Sequence, residues 1–404
     1  MSSHRQRIVG VITVGALALT ACGGAGAGSG SESSSDVVLG WSGPFSGPLQ
    51  SLAETNQAAI EMAVDQVNED DGVDIKLVVK DDALSAEKAV TQAKQFISED
   101  KIDVMMGPAV NTPFLAAQPI YHNAGLVQLL VGTAATGITD EYPNTWRLFF
   151  DGDAEARLIV ERLRDHYGST KIAILAENTG SGLPGADSLE KAINETDGVS
   201  LATKQLFATD KPDLGGYVDE IVKSGADGIA LWSVGGANTA NVVKALAAAG
   251  VTTPVVGDIG AVFKATPELA GDALGQVTLD AATFNTELYA EGAEPDPKAV
   301  ALRDEVKSRL NVDELPDAFH LALMYYNAVH VFKEALKRSD GKTDPDALRA
   351  ALVEGDIMTP LGDVYTFSED DRNGYAPENL SFASIAPGSY NDGFWVRAEG
   401  APGE

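Results

Sequence analysis

One cysteine, Cys22, occurs in 404 residues. An intramolecular disulfide is therefore excluded, and the fold has to stand on its apolar core. Basic residues are scarce as well: 29 lysines and arginines face 59 aspartates and glutamates, a formal net charge of −30. A surface so acidic repels phosphates and argues against nucleic acid as a partner. Histidine occurs five times; His122, His166, His320 and His330 share no ligand spacing with one another or with a cysteine, so neither a metal nor any other cofactor is expected. Long apolar runs are missing too. Residues 8–19 form a run of 12 uncharged residues, against roughly 20 for a helix that crosses a bilayer, and no later segment comes closer, so no transmembrane helix is expected in the mature chain.

What is present begins with a pattern of processing. Arg5 and Arg7 precede the uncharged run, and Thr20, Ala21, Cys22, Gly23 and Gly24 follow it, which reads as a signal peptide over residues 1–21. The tetrapeptide Leu19-Thr20-Ala21-Cys22 resembles the lipobox of bacterial lipoproteins, in which the cysteine thiol receives a diacylglycerol and becomes the first residue. The other reading is an ordinary signal peptide cut near an Ala-x-Ala-like site. After Cys22 the chain is glycine, alanine and serine with one glutamate as far as Ser35. That composition buries no apolar area to offset chain entropy, so residues 22–35 read as a flexible tether between a lipid in the membrane and a domain outside it.

From Asp36 onward about 370 residues remain, more than one core ordinarily holds, and two domains are expected. The overall apolar content of 44% supports a well-buried globular protein. With Arg5 and Arg7 removed, 27 basic residues face 59 acidic ones, a net −32. Glu69-Asp70-Asp71 and Glu369-Asp370-Asp371 fall at the ends of predicted elements, as solvated loops do. Short β-branched runs alternate with helical spacing, which predicts βα units and parallel sheets. Strands are expected at 37–41, 75–80, 102–106 and 126–131, with helices marked by Leu52, Ile60, Ala63, Val64 and Val67 and by Ala89, Val90, Ala93, Phe96 and Ile97. The rhythm restarts after Asp151, with strands at 171–176, 199–207, 228–232 and 254–257 and helices over 154–166, 214–223 and 238–249, the last ending at Gly250. Three helices then follow, at 297–310, 316–337 and 345–353, and short strands at 364–367, 380–385 and 394–397.

Several motifs of chemistry fail on their surroundings. Gly180-Ser181-Gly182-Leu183-Pro184-Gly185 has the G-x-G-x-x-G spacing between a strand and a helix, but the dinucleotide reading wants a carboxylate about 20 residues on, and 201–205 offers Lys204 and no acid. Asp340-Gly341-Lys342-Thr343 has Leu336 where a phosphate loop needs its first glycine, and it follows a helix. No G-x-S-x-G elbow occurs. What remains is a set of strand-end loops: Ser42-Gly43-Pro44-Phe45-Ser46-Gly47, Gly107-Pro108-Ala109-Val110-Asn111-Thr112 and Gly132-Thr133-Ala134-Ala135-Thr136. Their hydroxyls and N–H groups suit a carboxylate at a helix N-terminus, and equally suit plain turns and caps.

Ser46-Gly47-Pro48, Ala63-Val64-Asp65-Gln66-Val67-Asn68, Lys80-Asp81-Asp82, Gly107 opening a loop, and Ala134-Ala135-Thr136 occur in the order found in the type I periplasmic binding proteins. Over essentially the whole chain after the tether the sequence resembles that family, and within it the leucine/isoleucine/valine-binding branch of ABC-transporter solute receptors. The resemblance implies an α/β fold of two Rossmann-like lobes joined by a three-crossover hinge, with residues 36–150 and 284–378 in lobe 1 and 151–283 and 379–404 in lobe 2. It implies a solute held in the interlobe cleft by Ser46, Asn111, Thr112, Ala134 and Thr136 from the first lobe and by Asn178, Ser181, Trp232 and Asp258 from the second. Asn111 stands where the family usually has serine, Leu52 where amino-acid receptors often place an aromatic, and Ser181 where a tyrosine is expected. Asp258 matches the usual ammonium partner to within one residue. The function implied is capture of a branched-chain or other amino acid, or a related amide or carboxylate, for ABC permease subunits, by a lipoprotein held outside the cell membrane. A ligand-sensing module for a membrane receptor and an extracytoplasmic enzyme on the same fold are the alternatives; the second lacks a strong nucleophile or acid–base pair.

Overall fold

A computed structural model describes residues 37–47, 49–70, 74–210, 213–376 and 379–403. Cys22, the signal peptide, the tether and Pro48 lie outside the described residues. The chain opens with β1 (Val37–Gly43), α1 (Gln50–Asp70), β2 (Ile75–Asp81), α2 (Ala86–Gln95), β3 (Val104–Met106), α3 (Asn111–Asn123), β4 (Val127–Leu130) and β5 (Thr145–Arg147). These five strands make one parallel sheet in the order β2-β1-β3-β4-β5. The apolar positions that predict α1, namely Leu52, Ile60, Ala63, Val64 and Val67, are all buried. Of the five that predict α2, Ala89 and Ala93 are buried within it, and so is Phe96 in the wider helical turn Phe96–Asp100 that continues it.

A second run follows: α4 (Gly152–Asp165), β6 (Lys171–Glu177), α5 (Gly182–Glu195), β7 (Ser200–Phe207), α6 (Gly215–Ser224), β8 (Gly228–Trp232), α7 (Gly236–Ala248), β9 (Val255–Gly257), α8 (Ala265–Ala270) and β10 (Leu279–Phe284). Asp151 caps α4 by accepting from the Asp153 N–H, and Gly250, at φ +66°, takes the left-handed turn that ends α7. The chain then adds β11 (Leu288–Tyr289), α9 (Pro297–Leu310), α10 (His320–Arg338), α11 (Pro345–Leu352), β12 (Ile357–Met358), β13 (Val364–Tyr365), β14 (Leu380–Ser384), β15 (Tyr390–Asn391) and β16 (Phe394–Val396). The second sheet runs β14-β10-β9-β8-β6-β7, parallel except where β14 pairs with β10. Every residue of β8 is buried, as in a parallel sheet with both faces covered.

Packing shows how the chain crosses between the sheets. Helices α9 and α10 come back from the second sheet to lie on α1, and one apolar core takes in the first sheet, α1 and residues of α9, α10 and α11. Within it Trp41 and Tyr325 meet edge to face at 5.6 Å. Two further cores cover the two faces of the second sheet. The chain thus passes from first sheet to second at Arg147–Gly152, back after Phe284, and again to the second at β14.

In the two large sheets β5 and β10 escape the sequence reading, because each carries a buried charge where an apolar run is expected; the two-residue strands β11, β12 and β15 escape it as well. Arg147 in β5 is fully buried, donating to Asp151 and to the carbonyl of Ala135; Asp280 in β10 accepts from Arg162. The helix expected from residue 316 starts only at His320. Residues 316–319 turn instead, with Asp317 accepting from the Ser51 hydroxyl and the Ala318 N–H.

Candidate functional site

The carboxyl ends of β1, β3, β4, β6, β8 and β9 all open toward one cavity of about 200 Å³, where open parallel sheets place their ligands. A single water needs roughly 10–15 Å³, so the space suits a solute. Its walls are mostly apolar: Leu49 just before α1, Leu52 and Ala53 from α1, Phe149 and Phe150 beyond β5, and Phe263 before α8. Phe149 and Phe150 stack at 4.1 Å and pack on Phe284.

Six of the residues singled out by sequence line this cavity: Asn111, Ala134, Thr136, Ser181, Trp232 and Asp258. Asn111 opens α3, whose preceding residue Val110 supplies no side-chain cap, so backbone N–H groups of that first turn stay available to an anion. The Thr136 hydroxyl is 3.4 Å from Asp153 Oδ1. Ser46, Thr112 and Asn178 are not among the lining residues. Ser46 is exposed and donates to Asp81 Oδ2 at 2.9 Å, Thr112 is exposed on the first turn of α3, and Asn178 is exposed beyond β6, with its backbone N–H given to Phe207.

The glycines of the G-x-G-x-x-G run have a packing role. A Cβ on Gly185 would lie 2.2 Å from the indole of Trp232, and one on Gly182 would lie 2.2 Å from the Glu177 carbonyl oxygen. Their absence of side chain lets α5 approach β6 and lets Trp232 lie flat against the helix as a wall of the cavity.

Sequence reasoning found Asp258 but missed Glu155, its partner in the most consequential pair. Glu155, on the first turn of α4, lines the same cavity as Asp258, and the two are 1% and 4% exposed. Glu155 Oε1 accepts from the Ile259 N–H at 2.7 Å, and Asp258 Oδ1 from the Ser233 N–H at 2.8 Å. No lysine, arginine or histidine forms an ion pair with either among the described residues. Burial pushes the Asp258 carboxyl up to about 8, further raised by the charge of Glu177 and opposed by the N–H groups of Ser233 and Gly260. Burial raises Glu155 well above its ordinary range too, the charge on Asp258 adding to it. Glu177, at the end of β6, is better supported: its Oε1 accepts from the Val234 N–H, Asn238 Nδ2 and the Ser233 hydroxyl at 2.6, 2.9 and 3.2 Å. The signal for Glu155 was the helix start at Asp151, which puts residue 155 one turn in and on the face toward β9.

Two buried carboxyls with no basic partner attract a cation that enters from outside, while α3 and the loop 134–136, which also line the cavity, offer N–H and hydroxyl groups to an anion. Among the described residues no group of three or more histidine, cysteine, aspartate or glutamate side chains is placed to hold a metal ion. No helix among them is long and apolar enough to cross a membrane.

A family model described as periplasmic binding protein matches residues 36–388. The Leu/Ile/Val-binding protein homolog 7 of Brucella suis biovar 1 is 25% identical over 356 residues, 84% of this chain and 87% of that protein. Among solved structures, the branched-chain amino acid transporter substrate binding protein LivJ of Streptococcus pneumoniae, in complex with isoleucine, superposes with a TM-score of 0.72 at 19% identity, covering 91% of this chain and 99% of that one. A solute binding protein of an ABC transporter from R. palustris, in complex with 4-hydroxybenzoate, gives 0.73 at 18% identity, covering 90% and 96%. The two share this fold and hold ligands of different chemistry, an amino acid and an aromatic acid.

Proposed function

Since the chain belongs to the periplasmic binding protein family, we propose that it is the extracytoplasmic solute-binding component of an ABC uptake transporter and that its solute is an α-amino acid. The observation that carries the amino-acid reading is the pair Asp258 and Glu155, buried in the cavity wall without a basic partner. An ammonium placed between them replaces the lost hydration of both carboxylates, whereas a solute with a carboxylate alone brings like charge to them. The α-carboxylate has its counterpart at Asn111 and the loop 134–136, and the apolar walls take the rest. A solute that fills the space displaces the water from it, which strengthens each polar contact. Delivery to permease subunits needs no covalent step.

Calorimetric titration of the mature protein with amino acids and their des-amino counterparts tests this. Leucine or asparagine is expected to bind at least about 30-fold more tightly than the same skeleton without its amine, since removing one partner of a desolvated charge pair costs about 2–5 kcal/mol. Tighter binding of des-amino acids or of 4-hydroxybenzoate would reverse the assignment.

For the anchor we propose acylation of Cys22, supported by the lipobox-like Leu19-Thr20-Ala21-Cys22 and the glycine- and serine-rich segment after it. Cys22→Ser is expected to appear in the medium or to remain unprocessed, read by fractionation and mass spectrometry of the N-terminus. A variant that stays in the membrane fraction with normal processing contradicts the anchor.

A further inference from the structure

The wall of the cavity formed by α1 and the start of α10 carries polar groups that an aliphatic solute would leave unpaired. Asn56, 1% exposed, sits one turn beyond Leu52 and Ala53 on the cavity-facing side of α1. Its side chain makes no hydrogen bond, and Oδ1 is buried without a partner. His320, also 1% exposed and also lining the cavity, makes no hydrogen bond either; its Nδ1 lies 3.7 Å from Glu287 Oε1, within ion-pair range but beyond a hydrogen bond. A buried polar group with nothing to bond costs more than the bond itself contributes, and native interiors seldom leave one idle. Around these two groups the wall is Leu49, Leu52, Ala53 and Leu321, so what fits there is a short apolar stem ending in a polar head.

From this wall we infer that the solute is a carboxamide amino acid, of the asparagine or glutamine kind, and that Asn56 is the residue that reads its side chain. This rests on the amino-acid reading above: once the ammonium is placed at Asp258 and Glu155 and the carboxylate at the loops of the first sheet, the α1 wall is what remains for the side chain. A carboxamide offers one donor and one acceptor group, and so does Asn56 whichever way its amide is turned, so the two are complementary in either orientation. Leucine has nearly the shape of asparagine but would bury the Asn56 amide unsatisfied. Sites built to bond a polar group reject the analogue that lacks it far more strongly than apolar pockets reject a change of size.

Titration calorimetry with L-asparagine, L-glutamine and L-leucine on the mature wild-type protein and on Asn56→Leu decides this. In the wild type the better carboxamide is expected to bind at least about ten-fold more tightly than leucine, and Asn56→Leu is expected to erase that ratio, with leucine gaining. Asn56→Ala, with its melting temperature recorded, serves if the leucine variant does not fold, and the wild-type ratio needs no variant at all. Leucine binding as tightly as either carboxamide in the wild type, or a ratio unchanged by both substitutions, overturns the assignment of Asn56 and leaves the amino-acid reading standing. Failure of all three amino acids to bind, with des-amino acids binding instead, overturns both.

Discussion

Asp258→Ala is expected to weaken binding of the amino-acid solute by about 2–5 kcal/mol, because it leaves a desolvated ammonium facing Glu155 alone. Asp258 is 4% exposed, and its Oδ1 already accepts from the Ser233 N–H, so the carboxyl is held in place before the ligand arrives and little ordering remains to be done. The pH dependence has a definite sign. In the free protein burial holds the Asp258 proton up to about pH 8 and raises Glu155 as well. A bound ammonium favours the ionised form, so below pH 8 binding releases a proton, and affinity rises from pH 6 toward pH 8. Calorimetry in buffers of different ionisation enthalpy counts that proton, and Asp258→Asn should flatten the slope. The raised value of Asp258 acts on the free fold in the opposite direction: a protonated carboxyl tolerates burial, so its contribution to stability is present at low pH and is lost as pH rises from the ordinary carboxyl range through about 8, and the raised Glu155 acts with the same sign. Affinity that falls with rising pH over this range would mean that Asp258 donates as a neutral acid to an acceptor on the solute, and the ammonium would have to sit elsewhere.

Periodicity made the framework legible. Five apolar positions of α1 and the apolar runs of β1, β6 and β8 report their own burial, because a helix or strand that faces a core repeats at its own period. Strands β5 and β10 were invisible to that test for one reason: Arg147 and Asp280 sit where an apolar residue is expected, and each is tolerated only because partners meet it, Asp151 and the Ala135 carbonyl for the first, the distant Arg162 for the second. The site divides in the same way. Asp258 follows a readable strand, so its position at a carboxyl end could be inferred. Glu155 and Asn56 sit inside helices, where a polar residue ordinarily means a solvated face, and only the packing of α4 on β9 and of α1 on α10 turns them inward. Ser46 shows the converse: a hydroxyl in a strand-end loop looks available from sequence, and in the structure it donates to the neighbouring carboxylate Asp81.

Arg162→Met is expected to destabilise the fold by about 3–5 kcal/mol without touching the affinity of the molecules that remain folded. Arg162 and Asp280 are each 5% exposed, and the pair ties α4 to β10 through two bonds of 3.0 and 2.8 Å to one carboxylate oxygen. Tyr167 donates to that same oxygen at 2.7 Å, Arg162 also donates to the Glu399 carbonyl at 2.7 Å, and its guanidinium lies over the rings of Tyr167 and Phe382. Methionine keeps the stem but leaves Asp280 charged and buried with a single hydroxyl for a partner, which is the expensive half of a buried pair. The measurement is denaturant unfolding followed by tryptophan fluorescence, with the midpoint falling and the slope unchanged. Replacing both members, as Arg162→Met with Asp280→Leu, should recover most of the loss, since a well-packed apolar pair of similar volume often matches a buried ion pair. Neither residue lines the cavity, so titration of the folded single variant separates a lesion in the scaffold from one in the site: affinity close to wild type places Arg162 in the scaffold alone, and a loss comparable to that of Asp258→Ala would show that α4, which carries Glu155, is held in register for the ligand by this pair.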